Sequence, residues 1–147
     1  MNLSDILLQD FKTYLIAKNT IYKNAIQLLR AEILNKSKEL HRDLTNTEIL
    51  ELIAKQIKQK KDSIKEFKKA NRQDLIDQTY SEIDALSKYM PEPLTLEELK
   101  IIVQETASEI NAIDKKDMGR LIKEVKEQVG IRADGKTISN LVKQILL

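Results

Sequence analysis

Apolar positions recur at three- and four-residue intervals along almost the whole chain, the period of amphipathic helices, and no stretch keeps the alternation of a strand. The spacing predicts a first helix from Leu3 to Ala17, with Leu7, Leu8, Phe11 and Leu15 facing inward. Asn19 and Thr20 break it, and either can cap a second helix whose buried face is Ala25, Ile26, Leu29 and Ile33. The polar stretch from Asn35 to Asp43 is expected to end that helix. Thr45 and Glu48 then have the spacing of a capping box, in which each side chain satisfies the other residue's backbone N–H. The third helix runs from there to about Ala70 on the seam Leu50, Ile53, Ile57, Lys60, Ile64 and Phe67, with Lys60 the one polar insertion. Asn71 follows at a position that asks for left-handed backbone, which Asn tolerates. A fourth helix extends from Leu75 to about Met90 on Ile76, Thr79, Ile83 and Leu86.

Pro91 and Pro93, the two prolines of the chain, bar a helix from continuing and mark a boundary. Thr95 and Glu98 repeat the capping-box spacing before a fifth helix with Leu99, Ile102, Val103, Thr106 and Ile110 inward. Asp114 and Asp117 open a sixth, carrying Met118, Leu121, Ile122, Val125 and Val129. Gly130 lies just past its end, where positive φ is wanted. Asp134 is placed to cap a seventh helix on Ile138, Leu141, Val142 and Ile145. The expected fold is all-α: a four-helix N-terminal domain at 1–90, a proline hinge at 91–94 and a three-helix C-terminal domain at 95–147.

Composition narrows the chemistry. Of 147 residues, 41% are hydrophobic and 33% charged, while aromatics are only 4%. That suits long helices rather than sheets. There is no cysteine and a single histidine, so neither a disulfide framework nor a structural zinc site is expected. No apolar run approaches the ~18 residues of a membrane span. The N-terminal stretch carries Asp5 and Asp10 and lacks the basic start and apolar core of a signal peptide, so the expected location is cytoplasmic.

Net charge is only +2, but it is unevenly placed. Residues 91–113 hold one cation against five anions, a balance of −4, and residues 114–147 hold eight cations against five anions, a balance of +3. In this basic tail Lys116, Arg120 and Lys123 share a face of the sixth helix, and Arg132 and Lys136 flank the loop before the seventh. Gly119 and Gly135 sit near the two helix N-termini, where exposed N–H groups and the helix dipole suit phosphate. These seven residues are the candidate RNA-binding set. The plainer alternative is that the glycines serve close helix packing and the cations solubility. A second basic row, Lys58, Lys61, Lys65, Lys68 and Arg72, reads first as a solvated face whose aliphatic stems cover the core edge. The scarcity of aromatics argues against stacking on single-stranded bases, so any RNA contact would rest on phosphate and shape.

Catalytic constellations are missing. His41 lies in a polar stretch with no orienting partner in the pattern, and reads as a solvated loop residue. The serines are scattered, with no glycine-rich nucleophile setting, and no glycine-rich run precedes a lysine as in a nucleotide loop. The expectation is no catalytic residue, no metal and no cofactor.

The phrases Lys116-Asp117-Met118-Gly119-Arg120, Arg132-Ala133-Asp134-Gly135 and Leu141-Val142-Lys143-Gln144-Ile145-Leu146 resemble the C-terminal domain of the GatB/YqeY family, found in the B subunit of the tRNA-dependent amidotransferase and in a smaller stand-alone form. Residues 61–75, KDSIKEFKKANRQDL, and Tyr89-Met90-Pro91-Glu92-Pro93-Leu94 resemble the stand-alone form, with Asn71 where the family usually has glycine. The chain departs from the family pattern at Lys123, Glu127 and Ile131. The resemblance implies a non-catalytic role in binding tRNA, or a tRNA-handling enzyme, through the C-terminal domain. Any carbon–nitrogen ligase activity with glutamine as amido donor would be inherited from the family, not carried by residues of this chain. The alternative is a protein-interaction module that docks a partner through the N-terminal domain.

Overall fold

A computed structural model describes residues 2–146, and these are all helix, turn and loop with no strand. The seven α-helices are α1 (Leu3–Ile16), α2 (Thr20–Leu40), α3 (Asn46–Lys69), α4 (Gln73–Ser87), α5 (Leu96–Glu109), α6 (Met118–Val129) and α7 (Gly135–Leu146). Two 3-10 turns, Lys115–Asp117 and Gly130–Arg132, precede α6 and α7. The chain divides into two compact units, Met1–Met90 and Pro91–Leu147.

The first unit packs α1 to α4 around Leu7, Ile26, Leu29, Ile49, Ile53 and Leu86, all with side chains shut off from solvent. The face predicted for α2 is the buried one, Ala25, Ile26, Leu29 and Ile33. On α1 the expectation for Leu15 fails. Leu15 is exposed, and Tyr14 packs against the core in its place. Lys60 of α3 sits in the apolar seam because Glu82 of α4 answers it at 3.2 Å, with both side chains mostly covered.

Local signals explain the helix ends. The Thr45–Glu48 box forms in both directions, with the Glu48 carboxylate on Thr45 N–H at 2.9 Å and Thr45 Oγ1 accepting from Glu48 N–H at 3.2 Å. The second box is only half made. Thr95 caps α5 through Glu98 N–H at 3.1 Å, but the Glu98 carboxylate takes the Thr95 hydroxyl. α2 runs on through the polar residues 35–39 to Leu40, because Lys and Glu are good helix formers and Lys36 pairs with Glu39 one turn on. It stops at His41, in left-handed backbone with φ 56°.

Four helices close in this same way. Lys18, His41, Asn71 and Asn111 all have φ between 55° and 58°, just past the ends of α1, α2, α3 and α5. In each case the following N–H reaches back five residues to a carbonyl: Asn19 to Tyr14, Arg42 to Ser37, Arg72 to Phe67 and Ala112 to Ala107, at 2.9–3.2 Å. This bond satisfies carbonyls that the helix end would otherwise leave orphaned.

The second unit packs α5, α6 and α7 around Leu99, Val103, Leu121, Val125, Ile138 and Val142. Residues 91–94, the proline segment, fall within this unit. Leu94 packs against its core, and Leu94 N–H donates to the Arg132 carbonyl at 2.9 Å.

Candidate nucleic-acid interface

The basic tail is shaped first by its carboxylates. Asn111 ends α5, and Ile113 N–H then donates to Asp117 Oδ2 at 2.9 Å. Asp114 Oδ1 accepts from Lys116 N–H at 2.9 Å and caps the 3-10 turn. The other oxygen of Asp117 pairs with the Arg120 guanidinium at 3.0 Å. The Ile113 N–H, with the Arg120 charge beside it, holds the Asp117 carboxyl below the ordinary range. Arg120 is therefore partly engaged by Asp117, although more than half of its side chain is exposed.

The start of α6 has no side-chain cap on its own N–H groups. A β-carbon added at Gly119 would meet nothing within 4 Å, so close packing within the chain gives no reason for glycine there. Gly119 opens instead onto a shallow cleft of about 470 Å³ lined also by Ile122, Lys123, Lys126 and Glu127. Residues 122 and 123 lie three and four positions after 119, and 126 lies four and three after them, which puts all four on one face of α6. Lys126 then links this face to the start of α7. A β-carbon at Gly135 would lie 3.3 Å from both Lys126 Cε and Nζ.

The loop between the helices owes its shape to Gly130, with φ 57° and ψ −130°, a region that a side chain disfavours. Arg132 follows. Its Nε donates to the Glu92 carbonyl at 2.9 Å, so part of the guanidinium is spent on holding the proline segment. Asp134 caps α7 through Thr137 N–H at 2.7 Å, and that bond chiefly keeps its carboxyl below the usual range. The N-terminus of α7 thus already holds an anion of the chain itself. Lys136 is exposed one turn position beyond.

Gly119, Lys123 and Lys126 line one cleft on α6, and Lys126 also approaches Gly135 at the start of α7, where Lys136 is exposed. Lys116 stands on the preceding 3-10 turn, Arg120 leans on Asp117, and Arg132 is turned to Glu92. Lys126 is the residue that sequence reasoning missed. Its spacing of seven from Gly119 and three from Lys123 already put it on the same face, but its reach to Gly135 depends on how α6 and α7 pack. Such a surface offers ammonium groups and open backbone to an anion. Among the described residues no group of three or more His, Asp or Glu side chains is arranged to hold a metal ion. No described helix is long and apolar enough to cross a membrane.

Similar proteins extend the picture. The chain is 31% identical over 139 residues to Altered inheritance of mitochondria protein 41, mitochondrial, of Pyrenophora tritici-repentis, covering 93% of this chain and 77% of that one. It is 39% identical over 85 residues to the protein of the same name in Lachancea thermotolerans, and 38% over 86 residues to that of Kluyveromyces lactis. These alignments take in 57% and 56% of this chain, and 46% and 45% of the yeast proteins. The names correct the expected cytoplasmic location, since the relatives are mitochondrial proteins. The reason for the error is physical. A stretch without a secretory apolar core carries no information on the compartment. Residues 4–146 match the family described as Yqey-like protein, and the chain belongs to that family.

Proposed function

We propose that this chain is a non-catalytic tRNA-binding protein whose C-terminal unit contacts the phosphate backbone. The observation that carries the reading is the clustering of exposed cations around an open glycine. Lys123 and Lys126 line the cleft at Gly119, and Lys136 lies at the start of the neighbouring helix, in a tail with a balance of +3. Glycine leaves the backbone of the first turn approachable, and lysine ammonium groups neutralise phosphates without reading base sequence. The likeness of residues 116–120 and 132–135 to the tail of the amidotransferase B subunit supports tRNA as the nucleic acid. The kinase-like and amidase parts of that enzyme system have no counterpart in the residues here, which favours a binding role over catalysis.

The reading includes a division of labour. Residues 1–90 and the C-terminal unit act as separate domains, and the tail carries the RNA contact. Recovery of RNA with the tagged protein from a lysate, with and without ribonuclease, tests it. Enrichment of tRNA that ribonuclease abolishes is the expected result. Protein partners that survive ribonuclease, with no tRNA enriched, would favour docking of a protein instead.

A further inference from the structure

A polar groove of about 440 Å³ lies between α2 and α3 in the first unit. Leu28, Ala31, Glu32 and Asn35 line it from α2, and Gln56 and Gln59 from α3. Lys60 is the one cation among the lining residues, and Glu82 already holds its ammonium at 3.2 Å. Ser63 turns its hydroxyl to the Gln59 carbonyl at 3.1 Å. The groove is left with the charge of Glu32, which no cation of the described residues pairs.

Gln56 is the anomaly. Only 6% of it is exposed. Its Nε2 donates to Glu32 Oε2, and its Oε1 has no hydrogen-bond partner. Turning the amide over gives no remedy, since Oε1 would then face the Glu32 carboxylate. A buried acceptor without a donor is destabilising, and methionine would fill similar space without that cost. The residue makes sense if a donor arrives from outside the chain. Glu32 says what kind of donor: a cation. Leu28, 59% exposed, and Ala31, also exposed, offer an apolar wall to an aliphatic stem. A guanidinium carries several N–H groups in one plane, so a single group can pair with the carboxylate and reach the amide oxygen.

We infer that this groove is a binding site for an organic cation, a guanidinium on an aliphatic stem, held by the Glu32 carboxylate and Gln56 Oε1. That oxygen is covered in the unliganded chain, so its donor enters as the exposed side chains of Leu28 and Gln59 shift. Two sources carry such a group, a small free molecule and the arginine side chain of a partner, and they are separable by experiment.

The test is a nuclear magnetic resonance titration of the nitrogen-labelled chain with butylguanidinium. The Gln56 side-chain amide and the backbone of residues 28–35 and 56–59 should shift to saturation. Butylurea, with the same stem and shape but no charge, should leave them in place at the same concentrations. Glu32→Gln should weaken butylguanidinium binding by about tenfold or more. Gln56→Met should weaken it too, while the unliganded variant melts no lower than wild type, which a purely structural Gln56 would not allow. N-Acetylarginine amide identifies the source. Binding as tight as that of butylguanidinium assigns the site to a protein side chain, and exclusion assigns it to a small free cation. Equal responses to the charged and neutral probes, a lack of saturation, or saturating shifts that leave the Gln56 amide unmoved overturn the inference. So does a Gln56→Met chain that is destabilised yet binds butylguanidinium as wild type does.

Discussion

Arg132 holds Glu92 by the backbone. Arg132 Nε donates to the Glu92 carbonyl at 2.9 Å, and the Arg132 carbonyl receives Leu94 N–H at the same distance. Two bonds from one residue thus tie the proline segment to the loop between α6 and α7. Replacing Arg132 with Met removes the side-chain bond and should cost about 1 kcal/mol, the usual net value of one hydrogen bond. Limited proteolysis should then cut faster between residues 90 and 94. Unchanged cleavage and an unchanged melting temperature would show that the segment is held by other means.

The same tether separates two fragments. Residues 91–147 keep both bonds, whereas residues 95–147 lose them together with Leu94 from the core. Both should be helical by circular dichroism if the unit folds alone, and the longer one should melt higher. An unfolded 91–147 fragment would mean that the two units need each other.

His41 ends α2 at φ 56°, a conformation that costs a non-glycine residue about 1–2 kcal/mol. His41→Gly should therefore raise stability by up to about 1 kcal/mol, allowing for the extra freedom glycine gives the unfolded chain. The opposite outcome is expected at Gly130, where φ is also positive and ψ is −130°. Gly130→Ala should destabilise the C-terminal unit even though an added β-carbon meets no atom within 4 Å. Urea titrations of the two variants check both signs.

The Glu48 carboxyl is pulled down to about 2, first by the Arg42 guanidinium and then by Thr45 N–H. Its folded value lies below its unfolded value near 4.3. The resulting stabilisation is complete above the unfolded value and disappears as pH falls towards 2. Glu48→Gln should be less stable than wild type at neutral pH and should converge with it near pH 2. A difference that stays constant over this range would exclude the charge as its source.

What could be read from the residues follows from how local each signal is. The Thr45–Glu48 box, the left-handed Asn71 and the α2 face from Ala25 to Ile33 depend on spacing within a few turns, and all appear as expected. α2 ends inside the stretch 35–43 as expected, but only at Leu40, because Lys36, Lys38 and Glu39 keep good helix propensity. The proline break was legible, but its binding to Arg132 joins residues 40 apart and leaves no periodic trace. The same holds in the candidate interface. Its cations were visible as a charge balance. The Asp134 cap on α7 appears as expected, whereas the engagement of Arg132 with Glu92 and the reach of Lys126 to Gly135 depend on packing.

The most direct test is tRNA binding by fluorescence anisotropy across a series of salt concentrations. If about three to five phosphates are neutralised, log K should fall against log salt with a slope of roughly −2 to −4. Lys123→Glu with Lys136→Glu should weaken binding by about tenfold or more and flatten that slope, since neither lysine carries the Arg132 tether. Lys65→Glu with Lys68→Glu on α3 should bind as wild type does. Absence of binding at low salt, or loss in the α3 variant with normal binding in the tail variant, would contradict an RNA-binding C-terminal unit.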